Sequence, residues 1–117
     1  MRCFLKPIAL STLLALSPAL SADTDYAKRF PPKWLEHNGQ IRPETLCYNY
    51  PEKSHMYPLC RLQAIEYLQQ RCQRYSNILD NTDDPATRRH YNRLSNKYCT
   101  ASEQYHKMLL DEGVIEE

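Results

Sequence analysis

Cys47, Cys60, Cys72 and Cys99 are the residues whose type and spacing most constrain what chemistry this 117-residue chain can do. Thiolates bind metals, attack electrophiles or close disulfides, and their arrangement decides among the three. No two stand as Cys-x-x-Cys, the arrangement that poises a redox dithiol. No His-x-x-x-His accompanies them, so structural zinc fits poorly. An even number of cysteines in a short exported chain reads instead as two disulfides, which leaves no thiol free as a nucleophile.

The other groups able to do chemistry are dispersed. His37, His55, His90 and His106 have no partner at metal-ligand spacing. His106 and Glu103 share a helix face three residues apart, which makes two polar surface residues and not a site. Gly-x-Ser-x-Gly, His-Glu-x-x-His and P-loop patterns are absent from the sequence. The reading is a non-enzyme with no catalytic residue, no metal ligand and no cofactor.

Three groups of residues could instead contact a protein. Tyr91, Tyr98 and Tyr105 repeat every seven residues and form one stripe on a helix. Such a stripe is either core or a rigid aromatic face for a partner. Arg89, Arg93 and Lys97 follow one another four apart, either as a solvated ridge or as a handle for an acidic partner. Phe30-Pro31-Pro32-Lys33-Trp34 is an extended aromatic arm that can dock at low entropic cost, or whose Trp34 folds back over the core.

The elements that must carry these residues follow from pattern. Residues 1–22 read as an export leader: Arg2 and Lys6 are basic, Ile8 to Leu16 are mostly apolar, and small residues end at Ala22. The apolar run is short of the roughly 20 residues a membrane span needs. Cleavage there removes Cys3 and leaves roughly 95 residues, one domain at most. Acidic side chains then outnumber basic ones by one. That balance excludes nucleic acid and a polybasic membrane mode, since both need a basic excess.

Only Gly39 and Gly113 are glycines and Asn38-Gly39 is the only hairpin dipeptide, so the fold expected is all-α. Ile65, Leu68, Cys72, Tyr75 and Leu79 step by three and four, as do Tyr91, Leu94, Tyr98, Ala101, Tyr105 and Met108. Helices are predicted over 58–79 and 85–112, running antiparallel because the linker is short. Asp84 should cap the second helix ahead of Pro85, and Gly113 should close it with Val114 reaching Leu109. A short helix is expected over 43–49, and an extended Pro-containing arm over 23–42 packed on the hairpin. Residues 43–117 then form the stapled helical domain.

Sequence alone permits three disulfide pairings. At 100° per residue, Cys72 lies in the seam of the first helix, with Cys60 about 100° to one side and Cys99 about 120° off the second seam. Reversal of rotation between antiparallel helices points Cys60 and Cys99 to opposite sides. Cys47–Cys60 with Cys72–Cys99 is therefore preferred. The expectation is an exported, periplasmic or else secreted, accessory protein of inhibitor, immunity or machine-subunit type. It docks on another protein without an integral membrane anchor; the alternative is a secreted effector or toxin.

Overall fold

A computed structural model describes residues 31–117. The leader expected over 1–22, the first part of the arm and Phe30 lie outside the described residues. In order along the chain come β1 (Glu36–His37), β2 (Gln40–Ile41), the 3-10 turn η1 (Pro43–Thr45), α1 (Met56–Asp80) and α2 (Pro85–Asp111). The two long helices pack against each other, and β2 and η1 lie on α2.

The arm expected to be extended over 23–42 is corrected in its second half. Asn38 and Gly39 adopt φ of 51° and 77°, the two positive values of a tight hairpin turn. They pair Glu36 with Ile41 and His37 with Gln40 in an antiparallel ribbon. The short helix expected over 43–49 is likewise only one 3-10 turn, followed by a reversal at Cys47, whose φ is +72°. An all-α description is thus only roughly correct.

Side chains and main chain zip this N-terminal module together. Thr45 Oγ1 accepts from the Leu35 amide at 2.9 Å and donates to the Arg42 carbonyl at 2.7 Å. The Cys47 amide donates to the Lys33 carbonyl at 2.8 Å, and Asn49 Oδ1 accepts from the Lys33 amide at 3.2 Å.

Disulfides join Cys47 to Cys60 and Cys72 to Cys99, the pairing the seam geometry favours. The first ties the module to the start of α1; the second ties the two helices. Two bridges fit a non-cytosolic, oxidising compartment. Among the described residues no helix is long and apolar enough to cross a membrane.

α1 starts two residues ahead of the expected Pro58. Proline at the third helical position is tolerated because amides of the first turn have no intrahelical acceptor to lose. Its fully buried stripe is Cys60, Ala64 and Leu68, rotated from the expected seam, where Ile65, Cys72, Tyr75 and Leu79 are half-buried. The rotation arises because the base of α1 must serve the module through Cys60 as well as α2. α2 keeps its expected stripe, with Tyr98, Ala101, Tyr105 and Leu109 buried beside Ile41, Leu46 and Cys47.

The ends of α2 follow local chemistry. Asp84 accepts from the Thr87 amide at 2.9 Å and the Thr87 hydroxyl at 2.7 Å, with Pro85 opening the helix. Gly113, at φ +77°, donates to the Leu110 carbonyl, and the Val114 amide donates to that of Leu109 at 3.0 Å, a Schellman closure.

The Thr87 hydroxyl and amide hold the Asp84 carboxyl below its ordinary value of 3.8. A depressed carboxyl stabilises the fold above its unfolded value and loses that contribution as pH falls through the folded one. Asp84→Ala should lower the thermal midpoint at neutral pH. The gap from wild type should narrow as the pH is brought below 3.8. Thermal scans across that range check it, and a gap independent of pH would contradict the cap.

Candidate functional site

The side chains with the most chemical character converge where the N-terminal module meets the middle of the hairpin. The indole of Trp34 stands edge-on to Tyr67 of α1 at 5.8 Å and to Tyr98 of α2 at 6.1 Å between centroids. Its Nε1 donates to Glu36 Oε2 at 2.9 Å, and the same oxygen takes the Lys97 ammonium at 2.6 Å. These contacts, from Lys97 first and Trp34 next, hold the Glu36 carboxyl below its usual range despite partial desolvation. The Arg71 guanidinium lies over the Tyr67 ring at 4.5 Å and near Tyr98 at 5.8 Å. Toward the loop, Tyr75 meets Tyr98 at 5.5 Å and Tyr91 at 6.0 Å, so rings from both helices continue the cluster.

This geometry sorts the expected contact residues. Tyr98 and Tyr105 are core, 7% and 1% exposed, and offer no face to a partner. The module fills the flank of α2 that the sequence leaves open, which is why the stripe is buried there. Tyr91, nearer the loop, is half-buried. Trp34 is a half-buried lid on Tyr67 and Tyr98 and not a free docking arm. Lys97 is likewise withdrawn from the basic ridge by Glu36, whereas Arg89 and Arg93 remain exposed with no carboxylate partner among the described residues.

No family model, curated protein or solved structure matches this chain. Function must therefore be argued from these side chains.

Tyr67, Arg71 and Glu36 join the site without having been singled out by sequence pattern, and Tyr75, expected only as a seam residue of the first helix, joins it with them. Tyr67 and Arg71 stand four apart, the spacing at which helical neighbours touch, and that signal was legible. Glu36 carries none, because its partners lie 61 residues away at Lys97 and two away at Trp34. Among the described residues no three of His, Cys, Asp or Glu gather closely enough to hold a metal ion. The arrangement presents tyrosine rings and guanidinium groups on a covalently fixed frame.

At the base of the hairpin the Tyr105 hydroxyl donates to the Arg61 carbonyl at 2.7 Å, and Arg61 pairs with Glu112 at 2.8 Å. Burial is the main cause that pushes the Tyr105 phenol up to about 12. A phenol raised in the fold ionises first in the unfolded chain, so its stabilisation is complete below the unfolded value and fades as pH climbs toward the folded one. Tyr105→Phe should lose about 1 kcal/mol at neutral pH, the worth of one buried hydrogen bond. It should also show less alkaline destabilisation than wild type between about pH 10 and 12. Denaturant titrations at pH 7 and pH 11 decide it; parallel losses in both proteins would count against a buried neutral phenol.

Proposed function

We propose that this is an exported, non-enzymatic binding protein that docks on another protein of the cell envelope or the extracellular space. The observation that carries the proposal is the loop-proximal half of the hairpin. There Arg89 and Arg93 stand exposed on α2 without a carboxylate partner among the described residues, on the side of the helix turned away from the half-buried Tyr91. Arginine and tyrosine are the side chains most enriched at protein interfaces, because a planar cation and a rigid amphipathic ring give contact area at low entropic cost.

Two disulfides support the reading in a second way. A pre-ordered surface loses little conformational freedom on binding, so more of the contact energy appears as affinity. The leader pattern and the bridges together favour the periplasm, with secretion the alternative. An inhibitor, an immunity protein or an accessory subunit of an envelope machine would each use such a surface.

Placing a photo-crosslinking amino acid at Arg93 in the producing cell tests the proposal. The expected result is one predominant adduct with an envelope or extracellular protein, absent when the probe stands at Lys107 on the far part of α2. Adducts at neither position in the producing cell, with adducts on foreign cells only, would reject docking in favour of the effector reading. Trp34→Ala and Tyr98→Ala are unsuitable probes, since both residues pack in the cluster and their loss acts first on folding.

A further inference from the structure

The two disulfides stand in unlike surroundings. Cys47 and Cys60 are 0% and 4% exposed, which closes that bridge to a second thiol in the folded protein. Cys72 and Cys99 are both half-buried. At 100° per residue, Cys99 lies about 200° from Lys97 around α2, and Cys72 about 140° from Tyr67 around α1. Lys97 and Tyr67 are the residues that meet Glu36 and Trp34 of the N-terminal module. The Cys72–Cys99 bridge therefore lies on the flank of the hairpin turned away from that module.

The two sulfurs of this bridge also differ from each other. Ser76 Oγ and Ser95 Oγ are each 3.7 Å from Cys99 Sγ and 2.8 Å from one another. A sulfur in a disulfide carries no hydrogen, so here it only accepts. With one hydrogen on each hydroxyl, one serine donates to the other and that one donates to the sulfur. Ser95 is itself buried, so the short chain is largely shielded from water. Such a chain strengthens when its last acceptor gains charge. Cys72 Sγ has no such hydroxyl donor among the described residues. Its neighbours over 68–76 include Arg71 and Arg74 and no carboxylate, so nothing close along the helix repels an incoming anion.

We propose that Cys72–Cys99 is a reducible bridge that exchanges with an external dithiol, Cys72 being the sulfur attacked and Cys99 the leaving thiolate, while Cys47–Cys60 stays closed. In the first step a thiolate of the dithiol bonds to Cys72 Sγ, the bond between Cys72 and Cys99 breaks, and its electron pair stays on Cys99. The Ser76 and Ser95 hydroxyls stabilise that thiolate, which makes Cys99 the better leaving group. In the second step the other thiolate of the dithiol attacks its own partner sulfur in the mixed disulfide and expels Cys72 as a thiolate. The dithiol ends as a disulfide, oxidised by two electrons, and Cys72 and Cys99 take up the two protons it gives up. Reduction unlinks the loop-proximal half, where Arg89 and Arg93 stand, and leaves the base of the hairpin tied to its module.

The oxidised protein can be treated with graded dithiothreitol, quenched with iodoacetamide and mapped by peptide mass. Labels on Cys72 and Cys99 are expected at dithiothreitol concentrations roughly tenfold or more below those that label Cys47 and Cys60. Brief exposure to glutathione, a monothiol that halts at the mixed disulfide, should leave glutathione on Cys72 and the label on Cys99. The double variant Ser76→Ala/Ser95→Ala should slow the reduction of Cys72–Cys99 several-fold. That direction separates stabilisation of the leaving thiolate from a packing role, since a merely loosened seam would expose the bridge and speed its reduction. Equal reduction of the two bridges, glutathione on Cys99, or a double variant reduced as fast as wild type or faster overturns the proposal.

Discussion

Two antiparallel helices bury one stripe each against the other and leave the flanks of their seam open to water. This hairpin closes one flank with residues 31–50, and the Cys47–Cys60 bridge holds that cover in place. Cys47 is fully buried and Cys60 nearly so. Cys47 also adopts a left-handed backbone, which costs a residue with a Cβ about 1–2 kcal/mol. The reversal places the consecutive side chains of Leu46 and Cys47 both in the core, 2% and 0% exposed, which no regular helix turn would do. A disulfide closing a loop of roughly this length stabilises by about 3 kcal/mol in the chain-entropy picture, enough to offset the strained turn. Ile41, Leu46 and the lid of Trp34 all depend on that one attachment.

The second bridge works under different conditions. Cys72 and Cys99 are half-buried and lie where the cover has ended. Small side chains surround them: Ser76 and Ser95 meet at 2.8 Å, and each hydroxyl is 3.7 Å from Cys99 Sγ. Helices approach closely at such positions, but serines bury little apolar area. The loop half of the hairpin is therefore held by a covalent link, by the Asp84 cap and by Arg88 on the carbonyls of the turn, more than by apolar burial. The base half, with Leu68, Tyr105 and Leu109 at 1% exposure or less, is held the ordinary way.

That division explains what could be read from the sequence. α2 was legible end to end because its signals are local: Asp84-Pro85 at the start, a three-four stripe through Tyr105, Gly113 at the end. The pairing of Cys72 with Cys99 was legible because both lie on regular helices whose angles can be counted. The hairpin at 36–41 was not, since Asn38-Gly39 is a two-residue signal and the flanking strands are only two residues each. The stripe of α1 was rotated by a contact with the module, a tertiary effect that no periodicity contains. Trp34 and Lys97 were ambiguous for a related reason. A residue poised between core and surface is decided by what covers it, here Glu36 and Tyr67, and both come from distant parts of the chain or from outside the seam.

The loop-proximal half also accepts local penalties that a merely structural hairpin has no reason to carry. Arg89, Arg93 and Lys97 repel one another at four-residue spacing, at about 0.2–0.5 kcal/mol per pair. Arg88 and Arg89 sit near the N-terminus of α2, the end of a helix that favours negative charge, and the first turn holds no acidic residue. Arg88 is compensated by the carbonyls it binds and Lys97 by Glu36; Arg74, Arg89 and Arg93 have no such compensation among the described residues. Natural sequences keep local choices consistent with the fold and break that consistency mainly where a surface serves another purpose. Arg89 and Arg93 stand exposed on the side of α2 turned away from Tyr91 and the seam, so their charges serve neither the packing of the helices nor the cover, and an acidic partner surface is what would compensate them.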